Sequence, residues 1–129
     1  MHQVLLSIAS NRFQKTYLLK ARQHLEEIFS DMNYTVELWT EPSGSCRRDP
    51  YLNQLAFGVT TIDEQQLNQQ LKQIELAFGR DNASRQLGIV PIDLDILMFD
   101  NLRRHEADWE RHYVKELINK LKWHRDIVP

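Results

Sequence analysis

Cysteine is nearly absent from the 129 residues: Cys46 stands alone, which excludes an intrachain disulfide and any zinc site built from several thiolates. No run of roughly 18 apolar residues occurs, so no membrane span is readable. The N-terminus, Met-His-Gln-Val-Leu-Leu-Ser-Ile-Ala-Ser-Asn, lacks the basic start and longer apolar stretch of a signal peptide. Neither sign of charge dominates: 16 Lys and Arg against 18 Asp and Glu leave a formal net charge of −2 at pH 7, which argues against a dedicated nucleic-acid binder. The phosphate-binding P-loop, the glycine-rich dinucleotide fingerprint, the nucleophile elbow and the zinc-protease histidine pair are missing too. What is present, 42% hydrophobic and 26% charged residues without repeat or low-complexity tract, suits one globular domain spanning 1–129 with a real core. A cytoplasmic protein that engages neither nucleic acid nor membrane is expected; its oligomeric state is open.

Residues 4–8 form a short apolar run ending at Ser10 and Asn11, residue types suited to a turn or helix cap, and predict a strand. Leu18, Ala21, Leu25 and Ile28 recur at three- and four-residue steps, with Arg22, Glu26 and Glu27 between them, which describes an amphipathic helix covering one sheet face. After a polar break at 31–33, the aromatic and β-branched residues of 34–39 predict a second strand. The stretch 41–50 has two prolines, a glycine and no apolar period, so an exposed loop is expected. Residues 51–60 resume strand character. Asp63, followed three residues later by Gln66, announces a second helix with Leu67, Leu71, Ile74 and Phe78 on one stripe and a stop at Gly79. The polar stretch 80–90 reads as a mobile loop, 92–98 alternate as a strand, and a last helix presents Val114, Leu117, Ile118 and Leu121. This order predicts an α+β, ferredoxin-like (split βαβ) fold: an antiparallel sheet with helices on one face and the other face free for a ligand.

Side chains alternate along a strand, so Asp93 and Asp95 share one face while Ile92, Leu94 and Ile96 take the helix-covered one. Leu97 and Phe99 are expected to continue the aspartate face. The two α-carbons should lie about 6.5 to 7 Å apart, close enough for the carboxylates to share a pair of hard cations. Magnesium with phosphate is the natural occupant, although so short a motif fits a solvated polar face equally well. Glu75 and Arg80, at the end of the second helix, suit a ligand-orienting carboxylate and a phosphate-binding guanidinium, but position alone favours a surface ion pair. Tyr51 and Asn53, two apart on a strand, offer a ring and an amide to a flat heterocycle; tyrosine in a strand is more often packing. His112 and Tyr113 open the last apolar stripe, and His112 suits a phosphate oxygen or a proton, while exposure on a helix is the commoner outcome. The pairs Arg47 and Arg48, and Arg103 and Arg104, are candidates to supplement an anion site.

Ser-Ile-Ala-Ser-Asn at 7–11, Tyr51-Leu-Asn53, Ile74-Glu-Leu76 followed by Gly79-Arg80, and Pro91-Ile-Asp-Leu-Asp-Ile-Leu97 occur in the order and spacing of one family. The chain resembles the 6-hydroxymethyl-7,8-dihydropterin pyrophosphokinases of folate synthesis from its first strand through Phe99. The resemblance implies a ferredoxin-like core and transfer of the terminal pyrophosphoryl group of ATP to the hydroxymethyl oxygen of a reduced pterin, leaving AMP. Asp93 and Asp95 would bind two Mg2+ ions, with Arg80 beside them in the catalytic centre. Tyr51, Asn53 and Glu75 would serve the pterin, and His112 with Tyr113 the ATP phosphates. The loops 41–50 and 80–90 would close over the ligands. Three positions depart from the family pattern: Ala9 for a glycine, Leu87 for a tryptophan and Val90 for an arginine; the tail after Tyr113 is also short. A relative that binds nucleotide or pterin without turnover, and a ferredoxin-like regulatory module, are the alternatives.

Overall fold

The computed structural model describes residues 1–42 and 49–120. In chain order the elements are β1 (His2–Ser10), α1 (Gln14–Ile28), β2 (Ser30–Tyr34), β3 (Leu38–Thr40), β4 (Tyr51–Thr60), α2 (Glu64–Ala77), α3 (Asn82–Gln86), β5 (Asp93–Phe99), β6 (Leu102–Arg103), α4 (Glu106–Trp109) and α5 (His112–Ile118). The six strands form one sheet in the order β2-β4-β1-β5-β6, with β3 also on β4. Every pairing is antiparallel. The α+β fold with an antiparallel sheet is therefore as expected, and among the described residues no helix is long and apolar enough to cross a membrane.

Alternation along the central strands builds two cores. Val4, Leu6, Ile8, Leu52, Ala56, Leu94 and Ile96 meet Leu18, Ala21 and Leu25 of α1 and Leu67, Leu71 and Ile74 of α2. Each fully buried leucine here contributes about 1.5–3 kcal/mol. On the opposite face Leu5, Leu55, Phe57, Leu97 and Met98 meet Trp109 of α4 and Val114, Leu117 and Ile118 of α5. Helices on one face thus describes α1 and α2, whereas α4 and α5 take the other. The first face is already filled, so the apolar stripe of α5 finds its partners among the outward leucines of β1, β4 and β5. Among the described residues, the end of that second face carrying Asp93 and Asp95 lines an open cavity. Leu121 and the arginines Arg47 and Arg48 lie outside the described residues.

Local departures have local causes. Between β1 and β5 the register runs Leu5↔Met98 and then Leu6↔Ile96, so Leu97 is the extra residue of a β-bulge. The bulge resets the alternation: Leu97 stays on the aspartate side, but Phe99 packs in the α1/α2 core rather than continuing the aspartate face. Residues 34–39 are not one strand. The Thr35 hydroxyl accepts the Leu55 N–H at 3.0 Å and the Thr35 carbonyl accepts from Gln54 Nε2 at 2.7 Å, a side-chain substitute for the ladder that parts β2 from β3. The expected polar break at 31–33 falls inside β2, where Asp31 takes φ 52 at an irregular pairing. Asp63 caps α2 by accepting from Gln66 N at 2.8 Å, and Gly79 at φ 92 ends it. The stretch 80–90 contains α3, started by a reciprocal capping box between Asp81 and Ser84; five residues are too few to show an apolar period.

Candidate active site

A row across three strands makes the floor of the site. Ala9 of β1 stands opposite Asn53 of β4 on one side and Asp93 of β5 on the other. With neighbouring strands about 4.8 Å apart, Asn53 and Asp93 are separated by about 10 Å, with only a methyl group between them. One step along, Ser7 pairs with Asp95. Above this floor lies a cavity of about 330 Å³ lined by Ala9, Thr40, Glu41, Tyr51, Asn53, Arg80, Val90, Asp93, Asp95, Asp108, Arg111 and Tyr113. That volume is at the lower end for ligand sites.

The loop above the floor is fastened by Asn11. Its side-chain nitrogen donates to Gly88 O at 2.9 Å, its side-chain oxygen accepts the Val90 N–H at 2.6 Å, and its own N–H donates to Val90 O at 3.0 Å. Asn11 therefore does not cap α1, whose N-cap is Phe13 without a side-chain bond; it places Val90 on the cavity wall. Ser10 does make a turn, its hydroxyl bonding both the N–H and the carbonyl of Arg12.

Arg80, just past the glycine that ends α2, ties that helix to β5. Its Nη1 donates to Glu75 Oε2 and to Asp93 Oδ1, each at 2.7 Å, and to Ile92 O at 3.4 Å. Glu75 Oε2 also accepts the Leu94 N–H at 2.8 Å, satisfying an edge donor of β5. Burial opposes the charge on Arg80, but Asp93, Glu75 and Asp95 outweigh it and its pKa is raised. Burial likewise raises the pKa of Glu75. This is a part-buried triad rather than a surface ion pair.

Asn53 is buried, and its amide nitrogen donates to Leu38 O at 3.1 Å and to Thr40 Oγ1 at 2.8 Å. Its carbonyl oxygen is thereby left for a ligand's donor. Tyr51 lines the same cavity; burial first, then the charge of Asp93, raises its pKa. Tyr113 reaches in from α5 to line the cavity, and burial raises its pKa, with Ser7 opposing the rise.

Asp95 carries the largest electrostatic conflict. Burial, the charge and hydrogen bond of Asp93, and the charges of Asp108 and Glu75 push its pKa up to about 7. A folded-state pKa above the unfolded value of about 3.9 means that the folded protein holds the extra proton between about pH 4 and 7. Stability is thus highest at the acidic end of that window and is lost as pH rises through 7. After allowance for partial solvent screening the loss is about 1–2 kcal/mol. In metal-free buffer the melting temperature is expected to fall by several degrees from pH 5 to 8, and Asp95→Asn to remove most of that fall. Calorimetry at both pH values decides it: equal falls in the two proteins would mean that Asp95 is not the source.

Such a pair of crowded carboxylates suits a divalent cation. Among the described residues no group of three or more His, Cys, Asp or Glu side chains gathers as a metal cluster, but magnesium commonly takes one or two carboxylates and completes its shell with phosphate and water. The donor set fits.

Not every candidate reaches the cavity. Glu75 stands behind Arg80, and His112 is exposed at the start of α5, outside the lining. Arg104 is paired with Glu64 at 2.8 Å, and Arg103 lies over the Trp109 ring at 4.2 Å; neither supplements an anion site here. Thr40, Glu41, Asp108 and Arg111 line the cavity without belonging to any motif legible in the sequence. The one local signal was the i,i+3 spacing of Asp108 and Arg111, which pair at 2.9 Å.

The model of the 7,8-dihydro-6-hydroxymethylpterin-pyrophosphokinase (HPPK) family matches residues 5–122. The chain is 34% identical over 96 residues to the folate synthesis bifunctional protein of Arabidopsis thaliana, covering 68% of this chain and 20% of that protein. Against the protein of the same description from Chlamydia caviae it is 27% identical over 133 aligned positions, covering 92% of this chain and 30% of the relative. The chain thus spans less than a third of the length of these curated relatives.

Proposed function

Because the chain belongs to the 7,8-dihydro-6-hydroxymethylpterin-pyrophosphokinase family, we propose that it transfers pyrophosphate from ATP to the hydroxymethyl group of 6-hydroxymethyl-7,8-dihydropterin, releasing AMP, as a single domain in the cytoplasm. The observation that carries this reading is the convergence of Asp93, Asp95 and Arg80 with Tyr51 and Asn53 on one cavity.

Asp93 and Asp95 are the residues that would hold two Mg2+ ions, whose positive charge would offset that of the polyphosphate. Tyr51 offers its ring to the pterin, and the Asn53 carbonyl, fixed by Leu38 and Thr40, accepts from a donor on the heterocycle's edge. Glu75 serves the substrate through Arg80, holding that guanidinium against Asp93. Tyr113 faces the phosphates from the cavity wall; His112, exposed beside it and outside the lining, would meet only a part of the phosphate chain that extends past the rim.

With both substrates aligned, the hydroxymethyl oxygen bonds to the β-phosphorus while the bond from that phosphorus to the α–β bridging oxygen breaks. AMP leaves with the bridging oxygen, and the hydroxymethyl proton passes to solvent. Little covalent work falls to the protein, so alignment and electrostatics supply most of the rate. The segment 88–90, held by Asn11, forms part of the wall that keeps water from the reacting phosphorus.

The test is AMP formation from ATP and Mg2+ with and without the pterin. Pterin-dependent AMP is expected; AMP that ignores the pterin, or none at all, would end the reading. A relative that binds without turnover is the second reading, favoured by the apolar Val90 on the cavity wall. It would show as Mg2+-dependent binding of both ligands with no AMP.

A further inference from the structure

We infer that Arg111 is a phosphate-binding residue of this cavity, held ready by Asp108. The inference deepens the pyrophosphoryl-transfer reading and rests on it.

Among the described residues the cavity lining carries four carboxylates, Glu41, Asp93, Asp95 and Asp108, against two guanidiniums, Arg80 and Arg111. Those two differ in exposure and in which end of the guanidinium is held. Arg80 is 23% exposed and spends Nη1 on two carboxylates and a carbonyl. Arg111 is 56% exposed and donates from Nε alone, to Asp108 Oδ1 at 2.9 Å. Its two terminal nitrogens have no protein acceptor among the described residues.

An arginine anchored through Nε keeps the planar end of its fork free, and that end matches two oxygens of one phosphate. Asp108, 25% exposed, is the more buried partner and fixes where the fork stands. The charge of Arg111 reaches both sides of the cavity. Burial raises the pKa of Tyr51 and of Tyr113, and Arg111 opposes that rise at each hydroxyl. An exposed i,i+3 pair on a helix surface would be worth little, but this one stands on the wall of a cavity whose carboxylates repel a polyphosphate. Arg111 is therefore the more exposed of the two lining guanidiniums, and among the described residues it is the one whose two terminal nitrogens both lack a protein acceptor.

The experiment is titration calorimetry of the full chain with Mg2+-tripolyphosphate and with Mg2+-α,β-methylene-ATP. It compares wild type, Arg111→Ala, Arg111→Lys and the charge control Lys72→Ala, which lies on the exposed face of α2. Arg111→Ala is expected to weaken both probes by about 10- to 100-fold, the range of a charged hydrogen bond. Arg111→Lys should recover part of the loss, and Lys72→Ala should stay within about twofold of wild type, because distant exposed charges are screened. A melting temperature within about 2 °C of wild type is expected for Arg111→Ala, since its side chain is largely exposed; were that variant misfolded, Arg111→Lys would carry the comparison. If wild type binds the probes and makes AMP while Arg111→Ala binds within twofold of it, the inference falls and the reaction stands. If wild type binds neither probe, both fall.

Discussion

Replacing Asp93 and Asp95 together by alanine is expected to abolish pterin-dependent AMP formation, by at least about a thousandfold, or about 4 kcal/mol of transition-state stabilisation. It should also remove the Mg2+ dependence of nucleotide binding, because both hard oxygen ligands on the strand are gone. The loss is interpretable because the fold should survive. Asp95, whose pKa is pushed up to about 7 by burial and by Asp93, strains the folded state when ionised, so its removal relieves a repulsion. Arg80 loses Asp93 but keeps Glu75 at 2.7 Å. The check is AMP release alongside a thermal melt of the same sample. A folded double variant that keeps a tenth or more of wild-type turnover would remove the metal-ligand assignment.

Glu75→Ala should be the most destabilising change at the site, by about 3 kcal/mol, and should lower the melting temperature by roughly 10 °C. One carboxylate oxygen holds Arg80 and the Leu94 N–H at 2.7 and 2.8 Å, and the side chain is 15% exposed. Truncation leaves a part-buried guanidinium facing Asp93 alone and strands an amide on the outer edge of β5. Glu75→Gln keeps an acceptor and should cost about half as much. Turnover at low temperature, where both variants are folded, should fall with the displacement of Arg80. Unfolding curves of the three proteins provide the measurement, and a shift below about 2 °C for Glu75→Ala would mean that water replaces the carboxylate without penalty.

Much of this architecture is legible before any coordinates. The alternation of 92–98 with two aspartates on one side, the Tyr51/Asn53 spacing, the Asp63 cap and the Gly79 stop are local patterns, set by a strand period of two and by the chemistry of helix ends. Local patterns of that kind also identify the family, because its motif residues sit on neighbouring strands whose order follows from strand–helix succession. Where the sequence misleads, a contact distant in the chain has overridden a local preference. The hydroxyl of Thr35 bonds Leu55 and breaks a strand; an extra residue at Leu97 turns Phe99 to the other core; and Asn11, suited to capping, is claimed by Val90, 79 residues away.

Local patterns were thus enough for β1, α1, β4, α2, β5 and α5, for the family and for the face on which the two carboxylates meet. Contacts between distant segments set the rest: which aspartate is strained by its charge, that Glu75 stands behind Arg80, that α4 and α5 pack on the second face, and that Asp108 and Arg111 line the cavity. The reason is physical: side-chain direction follows from backbone period, which is local, whereas desolvation, charge coupling and the sharing of one acceptor depend on groups that only folding brings together.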